Sequence, residues 1–361
     1  MHDADLLGLL EKLLSLPTAP FHERFVSAFL RDELTRCGID FTCDQYGNII
    51  TSPGGAPALA LVAHMDHPGF EIADAGAKTA GAAWHGGVDA KYFRGARVVV
   101  YDQETGAIAA RGTVRRIRKN AAGRVETMTL GLNGWVRAGD FGTWDLVPFR
   151  RRGGLVRTKG ADDLVGCATV LSTLKRLKAR GLESGLLGVF TRGEEQGFLG
   201  TLGMIRSGAL PPTVKIISVE TSKALPGVVL GGGPVIRLGD RASMFDHRMV
   251  YFMDAMARDL RRKERRFRSQ RRVMDGGTCE ATPYQLAGHI VGGVAIPLHN
   301  YHNQGKSRIG AEAVAVRDVE NAVELLTELS ARIGEFNQST AEVKSRIESG
   351  WEKYGERLRG H

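Results

Sequence analysis

The sequence predicts an α/β fold in which a mixed, largely parallel sheet is sandwiched by helices and interrupted by a small inserted all-β domain. Three observations predict it. Short, continuous apolar runs recur at 58–63 (ALALVA), 186–191 (LLGVFT), 214–219 (VKIISV) and 292–297 (GGVAIP), the pattern of strands buried on both faces of a parallel sheet. Segments with helical spacing lie between these runs, as at 164–180. Between Pro68 and Gly153 the texture changes to brief β-rich stretches (ARVVVYD, GTVRRI, ETMTLGL, TWDLVPF) broken by Gly and Asn. The expected division is a discontinuous α/β domain, 1–67 plus 154–361, and a barrel-like insertion at 68–153. A chain of 361 residues is long enough for two cores.

Residues 4–16 place leucines at helical spacing behind acidic residues suited to a helix N-terminus, and Pro17 closes the segment. A second amphipathic helix is expected from His22 to Cys37. Asp44 to Asn48 then reads as a turn before a short strand at Ile49 and Ile50. The first apolar run ends at His64-Met65-Asp66. After Ala311 a helix is expected as far as Ile333, and the charged stretch from Gln338 to Arg359 reads as one more.

Hydrophobic residues make up 43% and charged residues 25%, which excludes a disordered or fibrous chain. No apolar run approaches the roughly 20 residues of a membrane span, and the first residues lack a cationic leader, so no membrane partner and a cytoplasmic location are expected. Cys37, Cys43, Cys167 and Cys279 are scattered without CxxC spacing and read as reduced, structural residues. The net charge of +9 is concentrated in the stretch Arg258 to Arg272, which reads as a solvated helix face, a subunit contact or an anion-binding patch. No nucleic-acid motif accompanies it, so no nucleic acid partner is expected.

The potential ligands are more informative. In open α/β sheets functional groups gather beyond the carboxyl ends of the strands. His64 and Asp66 follow one apolar run, Glu194 and Glu195 the next, Glu220 ends another, and His302 comes after the last. Asp162 and Asp163 lie in a Gly-containing approach to a helix. Imidazole and carboxylate suit zinc, cobalt or manganese. Two such cations can polarise a scissile carbonyl, while an unligated carboxylate moves the proton. Taken singly, these residues also suit a core histidine with its partner, a helix cap, or an acidic helix start.

The stretches ALVAHMDHPGF (60–70), KGADDLVG (159–166), VFTRGEEQGFLGT (189–201), ISVET (217–221), LGGGP (230–234), GGTCEATPYQLAG (276–288) and VAIPLHNYHN (294–303) resemble, in order, the M42 family of di-metal aminopeptidases. This family belongs to the wider clan that includes M20 and M28. The β-rich segment between the HMD and DD motifs resembles the M42 arrangement, whereas M20 proteins carry their extra domain later. The resemblance implies two divalent metal ions per chain, with zinc expected and cobalt or manganese as alternatives. It implies that Asp162 bridges the metals, that His64 and Glu220 complete one shell, and that Glu195 and His302 complete the other. Glu194 would be the general base toward a metal-bridged hydroxide, and Asp66 would orient His64. No other cofactor is implied. The implied activity removes N-terminal residues from peptides, and a homo-oligomer is the implied assembly. The departure from the family pattern at Glu220 keeps the ligand chemistry, whereas those at Leu164, Glu280 and Asn303 leave open a deacylase or other small-molecule amide hydrolase. A non-catalytic binding protein on the same fold is the third alternative.

Overall fold

The computed structural model describes residues 3–76, 78–182, 185–338 and 340–359. The four apolar runs form neighbouring parallel strands, in the order Leu186–Thr191, Leu59–His64, Lys215–Lys223 and Val291–His299. Antiparallel strands extend this quartet. Ile49–Thr51 and Phe41–Cys43 flank one edge; Glu312–Ala315, Leu155–Thr158 and Arg150–Arg152 extend the other. Strand Val235–Gly239 also pairs antiparallel with Val291–His299 and carries Gln270–Val273 beside it.

Alternation along a strand explains why these runs are apolar throughout. In Leu59–His64, Leu59, Leu61 and Ala63 face one core and Ala60 and Val62 face the other. The first core is closed by helices Asp3–Ser15, Arg24–Arg36, Leu164–Ala179, His247–Lys263 and Val316–Ala331. The second is closed by the shorter helices Leu199–Ser207 and Ala281–Leu286. A sheet covered on both sides can bury parallel strands, whose crossovers put helices on its faces.

Strands Gly69–Ala75, Thr79–His85, Arg97–Tyr101, Ile108–Lys119, Val125–Leu132 and Phe141–Trp144 close into an antiparallel barrel. Trp84, Phe93 and Trp144 meet at its centre, with ring centroids 4.8 to 5.2 Å apart. Closure removes the exposed strand edges that a free six-stranded sheet would carry.

Two readings change. Residues 312–315 form a strand inside the sheet, and the helix begins at Val316. Alanine favours helix locally, but pairing on both sides, Ala315 with Leu155 and Val314 with Leu298, holds this stretch extended. The basic stretch also does not form a single helix face. It ends the helix His247–Lys263, turns, and enters strand Gln270–Val273. Among the described residues no helix is long and apolar enough to cross a membrane.

Candidate metal centre

Parallel strands present all their carboxyl ends at one edge of the sheet, and the candidate residues lie there. His64 is the last residue of its strand, and Glu220 lies in Lys215–Lys223. Glu194 and Glu195 occupy a single turn of 3-10 helix after Thr191, and His302 lies in another after His299. Asp162 precedes helix Leu164–Ala179, and its peptide bond to Asp163 is cis.

Local interactions fix each of these groups. Asp163 caps the helix by accepting from the Gly166 amide at 3.1 Å, and Thr221 Oγ1 donates to the same oxygen at 2.9 Å. A Cβ at Gly166 would fall 2.1 Å from the Asp163 carboxylate, so only glycine admits this cap. Glu312 accepts the Ala161 and Asp162 amides at 2.5 and 3.2 Å and holds the loop from behind. The Asp66 carboxylate accepts the Glu194 and Glu195 amides, each at 3.0 Å. It therefore aims both glutamates, and the Asp66 carbonyl is what meets His64 Nδ1, at 3.1 Å.

His302 has a left-handed backbone, φ 52°, flanked by Asn300 and Asn303 in the same region. Its Nδ1 donates to the Gly87 carbonyl at 2.7 Å, so a residue from the barrel end orients a candidate ligand of the sheet. In both histidines Nδ1 is committed to a carbonyl. The Nε2 atoms are left facing the acids.

His64 Nε2 lies 3.6 Å from Asp162 Oδ1 and 3.8 Å from both Glu194 and Glu220. His302 Nε2 lies 3.3 Å from Asp162 Oδ2 and 2.9 Å from Glu195. Two groups of ligand atoms, His64 with Glu194 and Glu220 and Asp162 with Glu195 and His302, each fall within 4.8 Å, and a third joins Asp162, Asp163 and Glu220. Asp162 Oδ1, Glu195 Oε1 and His302 Nε2 are buried without a hydrogen-bond partner. Buried acceptors left facing one another are costly unless a cation lies among them. The donor set, imidazole and carboxylate oxygen with no thiolate, fits divalent zinc, cobalt or manganese.

The electrostatics reflect the same crowding. Burial is the largest influence on Glu194 and Glu220; His64 opposes it, but neighbouring acids add to it. Glu194 is pushed well above the usual carboxylate range, and Glu220 up to about 7. Burial alone would lower His64 and His302, yet the charge of Glu194 on the first and of Glu195 on the second leads a set of carboxylate contacts that lift both well above their ordinary value. Burial also raises Asp162, but the two imidazoles facing its carboxylate outweigh it and hold its carboxyl low.

All seven sequence-derived candidates, His64, Asp66, Asp162, Glu194, Glu195, Glu220 and His302, thus meet at one place. Sequence reasoning missed three neighbours. His67 contacts the Asp162 carbonyl through Nδ1 and Asn303 Oδ1 at 3.0 Å through Nε2. Its place directly after Asp66 was a usable signal. Glu312 and Gly87 gave none, because each reaches the site only through sheet pairing or domain packing. The Gly231 and Gly233 amides donate to the Asp318 carboxylate, each at 2.7 Å.

A parallel α/β sheet with a His and carboxylate cluster at its carboxyl edge, joined to a small barrel, defines the class: a peptide-bond hydrolase of the metallopeptidase kind. The chain belongs to the M42 peptidase family, whose model, described as M42 glutamyl aminopeptidase, matches residues 47–325. An Acetivibrio thermocellus protein provisionally named an aminopeptidase is 25% identical over 352 residues, covering 91% of this chain and 99% of its own length. The Pyrococcus horikoshii TET1 peptidase, whose structure is described as assembling into a tetrahedron or a large octahedral shell, superposes with TM-score 0.75 at 21% identity, over 90% of this chain and 99% of that one. The TET aminopeptidase of Thaumarchaeota archaeon SCGC AB-539-E09 gives TM-score 0.77 at 21% identity, over 93% and 100% of the two chains.

Proposed function

We propose that this chain is a di-metal aminopeptidase that removes N-terminal residues from peptides, with Asp162 as the bridging ligand. The observation that carries the reading is that the two oxygens of Asp162 face two different histidines, His64 at 3.6 Å and His302 at 3.3 Å. His64 and Glu220 would hold one ion, and Glu195 and His302 the other; zinc is the expected metal. Such a pair of cations supplies Lewis-acid polarisation of the scissile carbonyl and lowers the pKa of water.

The chain's own residues account for the remaining requirements. Glu194 is held by Asp66 at its amide and lies beside the candidate ligands. In this reading it takes a proton from the attacking water and delivers it to the departing amine. Asp66 and Gly87 fix the two imidazoles through their carbonyls. Both domains therefore contribute to the site, the division at 68–153 being part of the proposal. A cytoplasmic homo-oligomer is the proposed form, supported by the assemblies described for the TET1 peptidase.

The test combines metal analysis with turnover of aminoacyl anilides. The reading expects close to two metals per chain, loss of turnover with chelator, and an inactive Glu194→Gln protein that still carries its metals. Full activity in that variant, or metal-free protein of undiminished activity, refutes it.

A further inference from the structure

Tyr301 stands next to a candidate ligand and faces the cleft with a hydroxyl that the proposed chemistry does not use. Its ring lies on the His302 imidazole, with centroids 3.8 Å apart and planes at 23°. Successive side chains of an extended chain point to opposite sides. These two neighbours stack because the backbone is left-handed on either side of the Tyr301 ring, at Asn300 (φ 57°) and at His302 (φ 52°). Such conformations are strained at residues other than glycine and persist where the surroundings fix them.

The hydroxyl end of the ring reaches another wall of the cleft. A Cβ at Gly277 would lie 3.9 Å from Tyr301 Oη, and Gly277 lines the cleft together with His64, Asp162, Glu194 and Tyr301. Apart from burial, the influences on this hydroxyl come from Asp162, Glu195, Glu194 and Glu220, acids of both halves of the cluster. Among the described residues it has no hydrogen-bond partner. Two neighbouring hydroxyls are engaged: Thr221 Oγ1 donates to Asp163, and Ser222 Oγ accepts from Arg237. A phenol with an ordinary pKa near 10 is a neutral O–H donor at working pH. The donor of Tyr301 is thus open toward a cleft in which acceptors dominate.

We infer that Tyr301 is a catalytic residue whose hydroxyl donates a hydrogen bond to the carbonyl oxygen of the scissile amide and holds that oxygen as it becomes negative. This rests on the proposed amide hydrolysis. As the oxygen of water bonds to the carbonyl carbon, the π pair moves onto the carbonyl oxygen. The phenol keeps its proton, and its hydrogen bond strengthens with the charge. The proton of water goes to Glu194 and on to the departing nitrogen. The C–N bond then breaks, and the pair on oxygen re-forms the carbonyl. A donor fixed in advance by stacking on His302 needs no reorientation when the charge appears, which is the condition for a large effect on rate.

The experiment uses Tyr301→Phe, which keeps the ring on His302 and removes only the hydroxyl. On metal-loaded protein the variant is expected to lower kcat for a panel of aminoacyl anilides by about a hundredfold, with KM within about threefold of wild type. Its metal content and melting temperature should be unchanged. Calorimetric titration reads the same interaction without turnover. The phosphonic acid analogue of leucine, whose oxygens copy the charged tetrahedral carbon, should bind wild type about tenfold or more tightly than the variant. Leucinol, which has no charged oxygen, should bind both alike. A wild-type enzyme that turns over no anilide would defeat the aminopeptidase reading, while the phosphonate ratio still judges Tyr301. An undiminished kcat in the variant, equal affinity of the two proteins for the phosphonate, or loss of metal from the variant overturns the inference.

Discussion

The barrel and the sheet edge bury their residues for opposite reasons. The barrel core is built from Phe70, Trp84, Phe93, Val98, Leu130 and Trp144, largely apolar groups whose burial is favourable, with only the Trp144 Nε1 among these six side chains buried without a partner. The carboxyl edge of the parallel sheet buries His64, Asp66, Asp162, Asp163, Glu220, Glu280, His302 and Glu312, groups whose desolvation costs free energy unless a partner offsets it. One region is organised for stability, and the other accepts instability in exchange for chemistry. They meet at the Gly87 carbonyl, through which the barrel end positions His302. Breaking each region should therefore give a different signature.

The largest effect should come from the sheet edge. Glu194→Gln is expected to lower kcat by roughly a thousandfold with an unchanged melting temperature; a matching fall in melting temperature would show the loss to be structural. In the barrel, Trp144→Ala removes the ring that packs on Trp84 and Phe93. It should cost about 3–5 kcal/mol of stability by denaturant titration, while folded protein keeps its metal content. Loss of metal at a temperature where the barrel is still folded would contradict the separation of roles.

A third test lies where the regions touch. Lys159 is buried, donates to the Tyr101 hydroxyl at 3.2 Å and the Ser15 carbonyl at 3.4 Å, and is pushed down to about 7 by burial. A lysine whose folded pKa falls below its unfolded value penalises the folded state fully below the folded pKa, and the penalty disappears as pH rises to the unfolded one. Its contribution therefore makes stability rise between about pH 7 and pH 10.5. Lys159→Met should remove that slope, so the mutant's stability relative to wild type should fall by about 3 kcal/mol between pH 7 and pH 10. Parallel pH curves for the two proteins would show that the lysine stays charged when buried.

The smallest effect is expected on the C-terminal helix Ala341–Tyr354, where Trp351 is 60% exposed. Trp351→Ala should change stability by less than about 0.5 kcal/mol in dilute monomer. A larger shift that grows with protein concentration would mean that this face is covered by another copy.

The readable part of the site was local. His64, Glu194 with Glu195, and His302 each sit within a few residues of an apolar run that can only be a strand end, so their convergence followed from the parallel sheet. Glu312 has a helical local sequence, because nothing in EAVA distinguishes a strand from a first helical turn until Leu155–Thr158 and Val291–His299 pair with it on either side. The basic stretch shows the same limit. Arg258 with Asp254 and Arg262 with Asp259 pair within the helix, but Lys263 reaches Glu328 and Asp259 also receives Arg332 from elsewhere in the chain. These exposed pairs lie on the surface, where each is worth little.

By itself the sequence determined the α/β class, the inserted β domain, and the strand ends where ligands could gather, because apolar periodicity and residue type are properties of neighbouring positions. Only the tertiary structure decided that Asp162 faces two histidines at once and that Gly87 orients one of them. Those facts depend on distances between residues far apart in the chain, and such distances exist only once the sheet has ordered its strands and the barrel has docked against its edge.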